Sequence, residues 1–200
     1  MKAATGKTGR PITFDKEAAL EAAMLLFWEH GFEGTSMAEL TQAMSLSPSS
    51  IYAAFGDKHS LFSLTVKRYI KTRTQYATEA LEKPTLQMVV CALFDSTVTF
   101  LSKPGQPPTC MTLGGAMSCG RDAAPARDLL TAVRKQNEAA MKKRFLEARR
   151  SGELTKDINV DDYTRYVSLM LAGLSVQAAN GSTKAELKRT AQMALLHLGY

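Results

Sequence analysis

The side chains best able to do chemistry are of three kinds, a cluster of hydroxyls, three cysteines and three histidines, and none of them forms a catalytic set. Ser47, Ser49, Ser50 and Tyr52, interleaved with Pro48, Ile51 and Ala53, gather short hydroxyls within about two helical turns. Such groups suit hydrogen bonding to base edges and phosphates rather than bond cleavage. Cys110 stands in PPTCMTLGGAM, behind a proline-rich loop and near the start of a predicted helix, where the dipole favours thiolate. A reactive thiol and a buried structural cysteine are both open readings of it. Cys91, on an apolar run, reads as core. Cys119 lies nine residues beyond Cys110, ~13.5 Å along one straight helix and outside disulfide reach. The histidines, His30, His59 and His197, are scattered, with no paired metal ligands, nucleophile elbow or glycine-rich phosphate loop. No enzyme activity, cofactor or metal is expected.

Residues 34–62, GTSMAELTQAMSLSPSSIYAAFGDKHSLF, supply the frame that must position the hydroxyl cluster. Two short helical patterns separated by a few residues read as a helix-turn-helix. Thr35 or Ser36 caps the first helix, with Met37, Leu40 and Ala43 inward. Ser47 followed by Pro48 opens the second, since a serine oxygen accepts orphan N–H groups and proline suits the first turn. Ile51 points to the core, leaving Ser49, Ser50, Tyr52 and Ala53 outside. A helix with such short side chains can sink deep into a DNA major groove.

These residues also carry a resemblance. The run Gly31-Phe32, Thr35-Ser36, Leu40, Ser47, Ile51-Tyr52, Phe55, Lys58 and Leu61, preceded by Ala22-Ala23 and Leu26-Phe27, resembles the DNA-binding domain of the tetracycline-repressor (TetR) family over roughly residues 10–62. Three positions depart from it. Ser45 stands where the family usually has the turn glycine, Thr41 where it usually has alanine, and Ser49 where it often has glycine. The resemblance implies an all-α, nine-helix architecture and a DNA-binding transcriptional regulator. In the family's usual form this is a homodimeric repressor, released from a palindromic operator by a small-molecule effector or by an electrophile or oxidant acting at a cysteine. Activation instead of repression, and a helical scaffold for a protein partner, stay open as alternatives.

Double-stranded DNA is thus the expected partner, and each proposed contact has a physical role. Arg10, in Gly9-Arg10-Pro11, is either an arm for the minor groove or a solubilising tail. Tyr52 and Lys58 suit phosphate, Lys58 aided by a helix N-terminus. Thr35, Ser36 and Ser47 offer hydroxyl or N–H donors at helix starts. Ser49, Ser50 and Ala53 are the base readers, Ala53 through methyl contact with thymine.

The net charge of +6 is weak support for that partner once it is located. Residues 1–60 hold five Lys/Arg against seven Asp/Glu. The excess lies elsewhere, in Lys67, Arg68, Lys71 and Arg73 and on a later helix bearing Arg134, Lys135, Lys142, Lys143 and Arg144. With 45% hydrophobic residues in 200, the chain can bury a core. No stretch reaches the ~18 uninterrupted apolar residues of a membrane span. MKAATGKTGR has no apolar signal core, and three cysteines without metal-type spacing fit a reducing compartment. A cytoplasmic location without membrane contact is the expectation.

Hydrophobic periodicity is helical almost throughout. Helices are expected over about 15–30, the two reading helices, 57–81, 86–101, 109–119, 126–150, 161–179 and 184–198. Asp15 should cap the first, with Ala19, Ala22, Ala23, Leu26 and Phe27 inward and Gly31 as its stop, and Asp57 should cap the linking one, which Lys83-Pro84 ends. The division drawn is 1–62, arm and helix-turn-helix, and 63–200, linking helix, ligand-sensing and dimerisation domain. In the second part Met88, Phe94, Phe100, Met111, Met117, Leu130, Met141 and Phe145 are candidates to line an effector cavity or simply to fill the core. Two apolar stripes, Tyr166, Leu169, Met170, Gly173, Leu174 and Gln177, then Leu187, Ala191, Ala194, Leu195 and Leu198, read on pattern alone as intramolecular core. The family resemblance makes them a four-helix dimer interface.

Overall fold

The computed structural model describes residues 14–114, 120 and 122–200, and among these it holds ten α-helices and no strand. Helix α1 (Lys16–Gly34) begins at the expected cap, where Asp15 accepts from the N–H groups of Glu17 at 2.9 Å and Ala18 at 3.0 Å. Ala19, Ala23 and Phe27 point inward as their spacing predicts, joined by Met24 and Trp28, whereas Ala22 and Leu26 are half-buried. Gly31, the predicted stop, interrupts the helix with φ 72° and ψ 179°, and Phe32 to Gly34 then add a final turn. Glycine takes this conformation without a Cβ clash.

Helices α2 (Met37–Met44) and α3 (Pro48–Phe55) form the predicted pair. Ala43, expected inward, is exposed. The four-residue step from Leu40 to Met44 puts the larger side chain on the core face instead, with Met37 half-buried beside it. The turn passes through Ser45 at φ 53° and ψ 38°. That left-handed backbone costs an ordinary residue ~1 kcal/mol. Bonds of 3.2 Å from the Ser45 N–H to the Gln42 carbonyl and from the Leu46 N–H to the Thr41 carbonyl offset it by closing the helix end.

Helix α4 (Lys58–Arg73) does not run on to Leu81. It breaks at Thr74 (φ −108°, ψ 10°) and resumes as α5 (Gln75–Leu81), which turns the expected nine helices into ten. The Thr72 and Thr74 hydroxyls donate back to the Arg68 and Ile70 carbonyls at 2.8 and 2.9 Å, a competition with the backbone that bends helices. Helix α6 (Leu86–Leu101) fills its predicted span, capped by Thr85. Helix α7 is described over Met111–Gly114, one turn of the predicted 109–119 element. Helices α8 (Ala124–Ser151), α9 (Val160–Ala179) and α10 (Lys184–His197) start and stop close to prediction, the last two capped by Asn159 and by a Thr183–Glu186 capping box.

The packing positions α3. Helix α1 lies along α4 and carries α2, and α3 rests on α2 and α4. Phe62 of α4 meets Phe27 and Phe32 edge-on, with ring centroids 5.1 and 5.3 Å away. Each ring so buried stabilises the unit by ~1.5–3 kcal/mol. On the outside of the same seam Arg68 pairs with Glu17 and Glu21, and Arg73 with Glu21. Farther along, α6 packs against α5, α9 and α10, and α8 against α9. Among the described residues no helix is long and apolar enough to cross a membrane.

Candidate nucleic-acid interface

The N-terminus of α3 is organised by one oxygen. Ser47 Oγ accepts from the Ser50 N–H at 3.2 Å and lies 2.9 Å from both the Ser49 and Ser50 hydroxyls. Three interchangeable donor-acceptors therefore converge at the helix end that would enter a groove first. Ile51 and Phe55 anchor the other side of the helix in the core. Ser47, Ser49, Tyr52 and Ala53 are exposed, Tyr52 by 52%, and Ser50 is half-buried in the hydroxyl cluster. An exposed phenol is unusual in a packed helix pair and leaves its hydroxyl available to an acceptor such as a phosphate oxygen.

Ser36 caps α2 through a complete capping box. Its hydroxyl accepts from the Glu39 N–H at 3.2 Å, and its own N–H donates to Glu39 Oε2 at 2.7 Å. The bond from the Ser36 N–H, with its hydroxyl second, holds the Glu39 carboxyl below the usual range. Thr35 corrects the sequence reading. Its side chain is fully buried and its hydroxyl donates to the Gly31 carbonyl at 2.7 Å, so it closes the end of α1 and offers nothing to phosphate. Lys58 is the first residue of α4, with Asp57 as cap accepting from the Ser60 N–H at 2.7 Å. Its ammonium sits 4.4 Å from the centre of the Phe32 ring, and partial burial lowers its pKa. Arg10 lies outside the described residues.

The residues proposed for effector binding separate. Phe94 and Phe145 are fully buried and Met111 and Met141 nearly so, whereas Met88 is 48% exposed and cannot line an internal cavity. Its place at the third position of α6, beside the Thr85 cap, turns it to solvent. Met117 lies outside the described residues, as does Cys119. A surface depression of about 270 Å³ is formed instead by Ile158, Asp162, Tyr163, Tyr166, His197 and Leu198, at one end of the α9–α10 pair.

Cys110 is half-buried, directly ahead of α7. Its Sγ lies 3.6 Å from the Tyr69 hydroxyl, which donates to it, and 3.1 Å from Thr112 Oγ1. Burial pushes the Tyr69 phenol well above its usual range, so it remains a neutral donor. The polar neighbours of the sulfur are thus two hydroxyls, one on α4 and one on the described turn of α7. Cys91 is half-buried rather than core, and burial raises its thiol pKa.

On the last two helices the inward and outward faces are the reverse of part of the expectation. Leu174, Leu187 and Ala191, proposed for a dimer interface, are buried within the chain. Tyr166, Met170 and Leu195 are half-buried, and Gly173 and Gln177 exposed. The free apolar face belongs to Leu169 (66% exposed) and Val176 on α9 and to Met193 (70%) and Leu196 (71%) on α10. Val176, Met193 and Leu196 were not singled out by pattern, because a helix that is apolar on two sides gives no sign of which side its own chain covers.

The family model described as "Bacterial regulatory proteins, tetR family" matches residues 19–64, α1 through the start of α4. The HTH-type transcriptional repressor BdcR of Escherichia coli (strain K12) is 32% identical over 188 residues, 93% of this chain and 90% of that one. ComR of the same organism, also an HTH-type transcriptional repressor, is 25% identical over 185 residues, 92% and 88% of the two chains. A solved structure of a cysteine mutant of the TetR family regulator CifR, complexed with 26-bp double-strand operator DNA, superposes with a TM-score of 0.89 at 31% identity, covering 94% of this chain and 98% of that one. With its helix-turn-helix in register and its likeness running almost end to end, the chain belongs to the TetR family of bacterial transcriptional regulators.

Proposed function

We propose that this regulator is a homodimeric repressor that reads a two-fold symmetric operator with α3. The exposed Ser49, Tyr52 and Ala53 face, held out by inward Ile51 and Phe55, carries this reading. The 31% identical structural relative is complexed with operator DNA. Ser36, Ser47, Tyr52 and Lys58 hold the phosphates, and Ser49, Ser50 and Ala53 meet the bases. The arm residue Arg10 adds a minor-groove contact. Residues 1–62 form the reading head, and residues 63–200 sense and dimerise. The free apolar face of Leu169, Val176, Met193 and Leu196, with exposed Gly173 among them, supports pairing through α9 and α10. Two heads on one rigid dimer then engage half-sites about one helical turn, ~34 Å, apart.

Release follows from an effector that binds the DNA-incompetent arrangement more tightly, since equal affinity for both would shift nothing. Cys110 is the entry point we favour. It is partly accessible and sits against Tyr69, a residue of α4, so an electrophile or oxidant that enlarges the sulfur has to displace the phenol. A non-covalent ligand among the buried side chains of α6 and α8 is the second route.

Fluorescence anisotropy with DNA from upstream of the coding region, against random competitor DNA, tests both parts. Specific binding should weaken as salt rises. It should be lost on treatment with N-ethylmaleimide in the wild type and kept in Cys110→Ser. A Cys110→Ser protein released as readily as wild type rejects the thiol route.

A further inference from the structure

Residues 109–112 lead into α7 and form its first two positions, and their main chain is held from four directions. The Trp28 indole N–H donates to the Thr109 carbonyl at 2.9 Å, and the Cys110 N–H to Ser175 Oγ at 2.8 Å. The Met111 N–H donates to the Tyr69 hydroxyl at 3.4 Å, and Arg134 Nη1 to the Thr112 carbonyl at 2.5 Å. These side chains come from α1, α9, α4 and α8 in turn. A short segment usually pairs its backbone with itself or with water. Here the Thr109 N–H does pair locally with the Pro107 carbonyl, but four helices add the bonds just named, so the segment is where their relative positions are registered.

Trp28 and Tyr69 come from α1 and α4, the two long helices of the unit that carries α3, and of the two Trp28 is the one whose ring also stacks flat on a helix of the body. Its neighbour Phe27 faces Phe62 and Phe32 inside that unit. The indole points the other way and is buried, stacked on Phe100 of α6 with centroids 5.7 Å apart and planes 8° from parallel, and edge-on to Tyr69 at 4.9 Å. Swinging α1 against α6 would slide this stack and break the bond to Thr109 together. Because α2 is packed on α1, α3 on α2 and α4, and α1 along α4, the angle of the α1–α4 pair sets the angle of the reading helix.

We infer that Trp28 is a positioning residue for DNA reading: it keys the angle of the head against the body, and thereby the distance between the two α3 helices of the dimer. The inference rests on the dimeric, DNA-binding reading given above. A merely structural tryptophan would, on substitution, weaken binding to all sites alike. A positioning one changes which half-site spacing is preferred and leaves the half-site bases as they were.

Selection from randomised duplex DNA by the full-length protein, wild type against Trp28→Phe, reads this difference without a known operator. Phenylalanine keeps the stack and removes the N–H. The expected result is the same half-site bases with a preference between spacings changed by about fivefold, the scale of one buried hydrogen bond. Identical spacing preferences in a folded Trp28→Phe protein overturn the inference and leave the function untouched. A wild type that enriches no two-fold site removes the dimeric reading, and the inference with it. Should Trp28→Phe fail to fold, Ser175→Ala takes its place, since it loosens the peptide that the indole holds. The same altered or unaltered spacing then decides.

Discussion

Arg68 of α4 donates its Nε–H to Glu21 Oε2 of α1 at 2.6 Å, and the other oxygen of that carboxylate takes Arg73. One anion thus pins two turns of α4 to α1. All three side chains are about three-quarters or more shielded from water, a setting in which losing the shared partner leaves Arg73 uncompensated and Arg68 with Glu17 alone. Glu21→Gln is expected to lower stability by ~1–2 kcal/mol, less than a fully buried pair because water still reaches the site. Urea midpoints should show it, with a gap that narrows as salt is raised. A midpoint equal to wild type at low salt would mean that the seam is held by its aromatic rings alone.

Ala53 presents a methyl group on the exposed face of α3. Ala53→Asp places a carboxylate where a groove lined with phosphates must approach. Specific affinity should fall by about a hundredfold or more, ~3 kcal/mol, while the sedimentation of the dimer is unchanged. Retained affinity would move the reading face elsewhere.

Met193 and Leu196 are large, apolar and largely exposed on α10, so replacing either costs the folded chain little. Met193→Glu combined with Leu196→Glu should convert a dimer to a monomer of unchanged helicity, measured by light scattering and circular dichroism. A variant that stays dimeric would place the interface off this face.

Acid should destabilise the helix starts. Bonds from Ser36 to Glu39 and from Ser60 to Asp57 hold both carboxyls below their ordinary values of 4.5 and 3.8. A carboxyl with a depressed folded pKa contributes stability above its unfolded pKa and loses it as pH falls through the folded one. Stability should therefore decline on going below about pH 4.5. Glu39→Gln keeps a capping-box partner without a titrating group, so the two proteins should differ near neutrality and converge in acid. Parallel curves of urea midpoint against pH would show that Glu39 contributes no titration.

Local signals carried most of the fold. Asp15, Ser36, Ser47 and Asp57 accept where caps were expected, because capping is decided by a residue and its next three N–H groups. What escaped prediction depends on partners distant in sequence or on competing local bonds. Thr35 reads equally well as a cap or a donor until its hydroxyl is seen on the Gly31 carbonyl. The break at Thr74 follows from two threonines bonding backwards, a choice that helical periodicity does not record. Leu174 and Leu196 have the same side chain on neighbouring helices, yet one faces its own core and the other solvent. Trp28, one step beyond Phe27, looks like ordinary core until its partner 81 residues away is known.

That same indole is the single tryptophan of the chain. Its light is therefore emitted from one address, a dry aromatic nest at the junction of head and body, and should be blue-shifted in the resting protein. Any motion that admits water there must redden it. The molecule carries an unlabelled optical gauge on its own joint, by which the rate of release could be timed within a single mixing experiment.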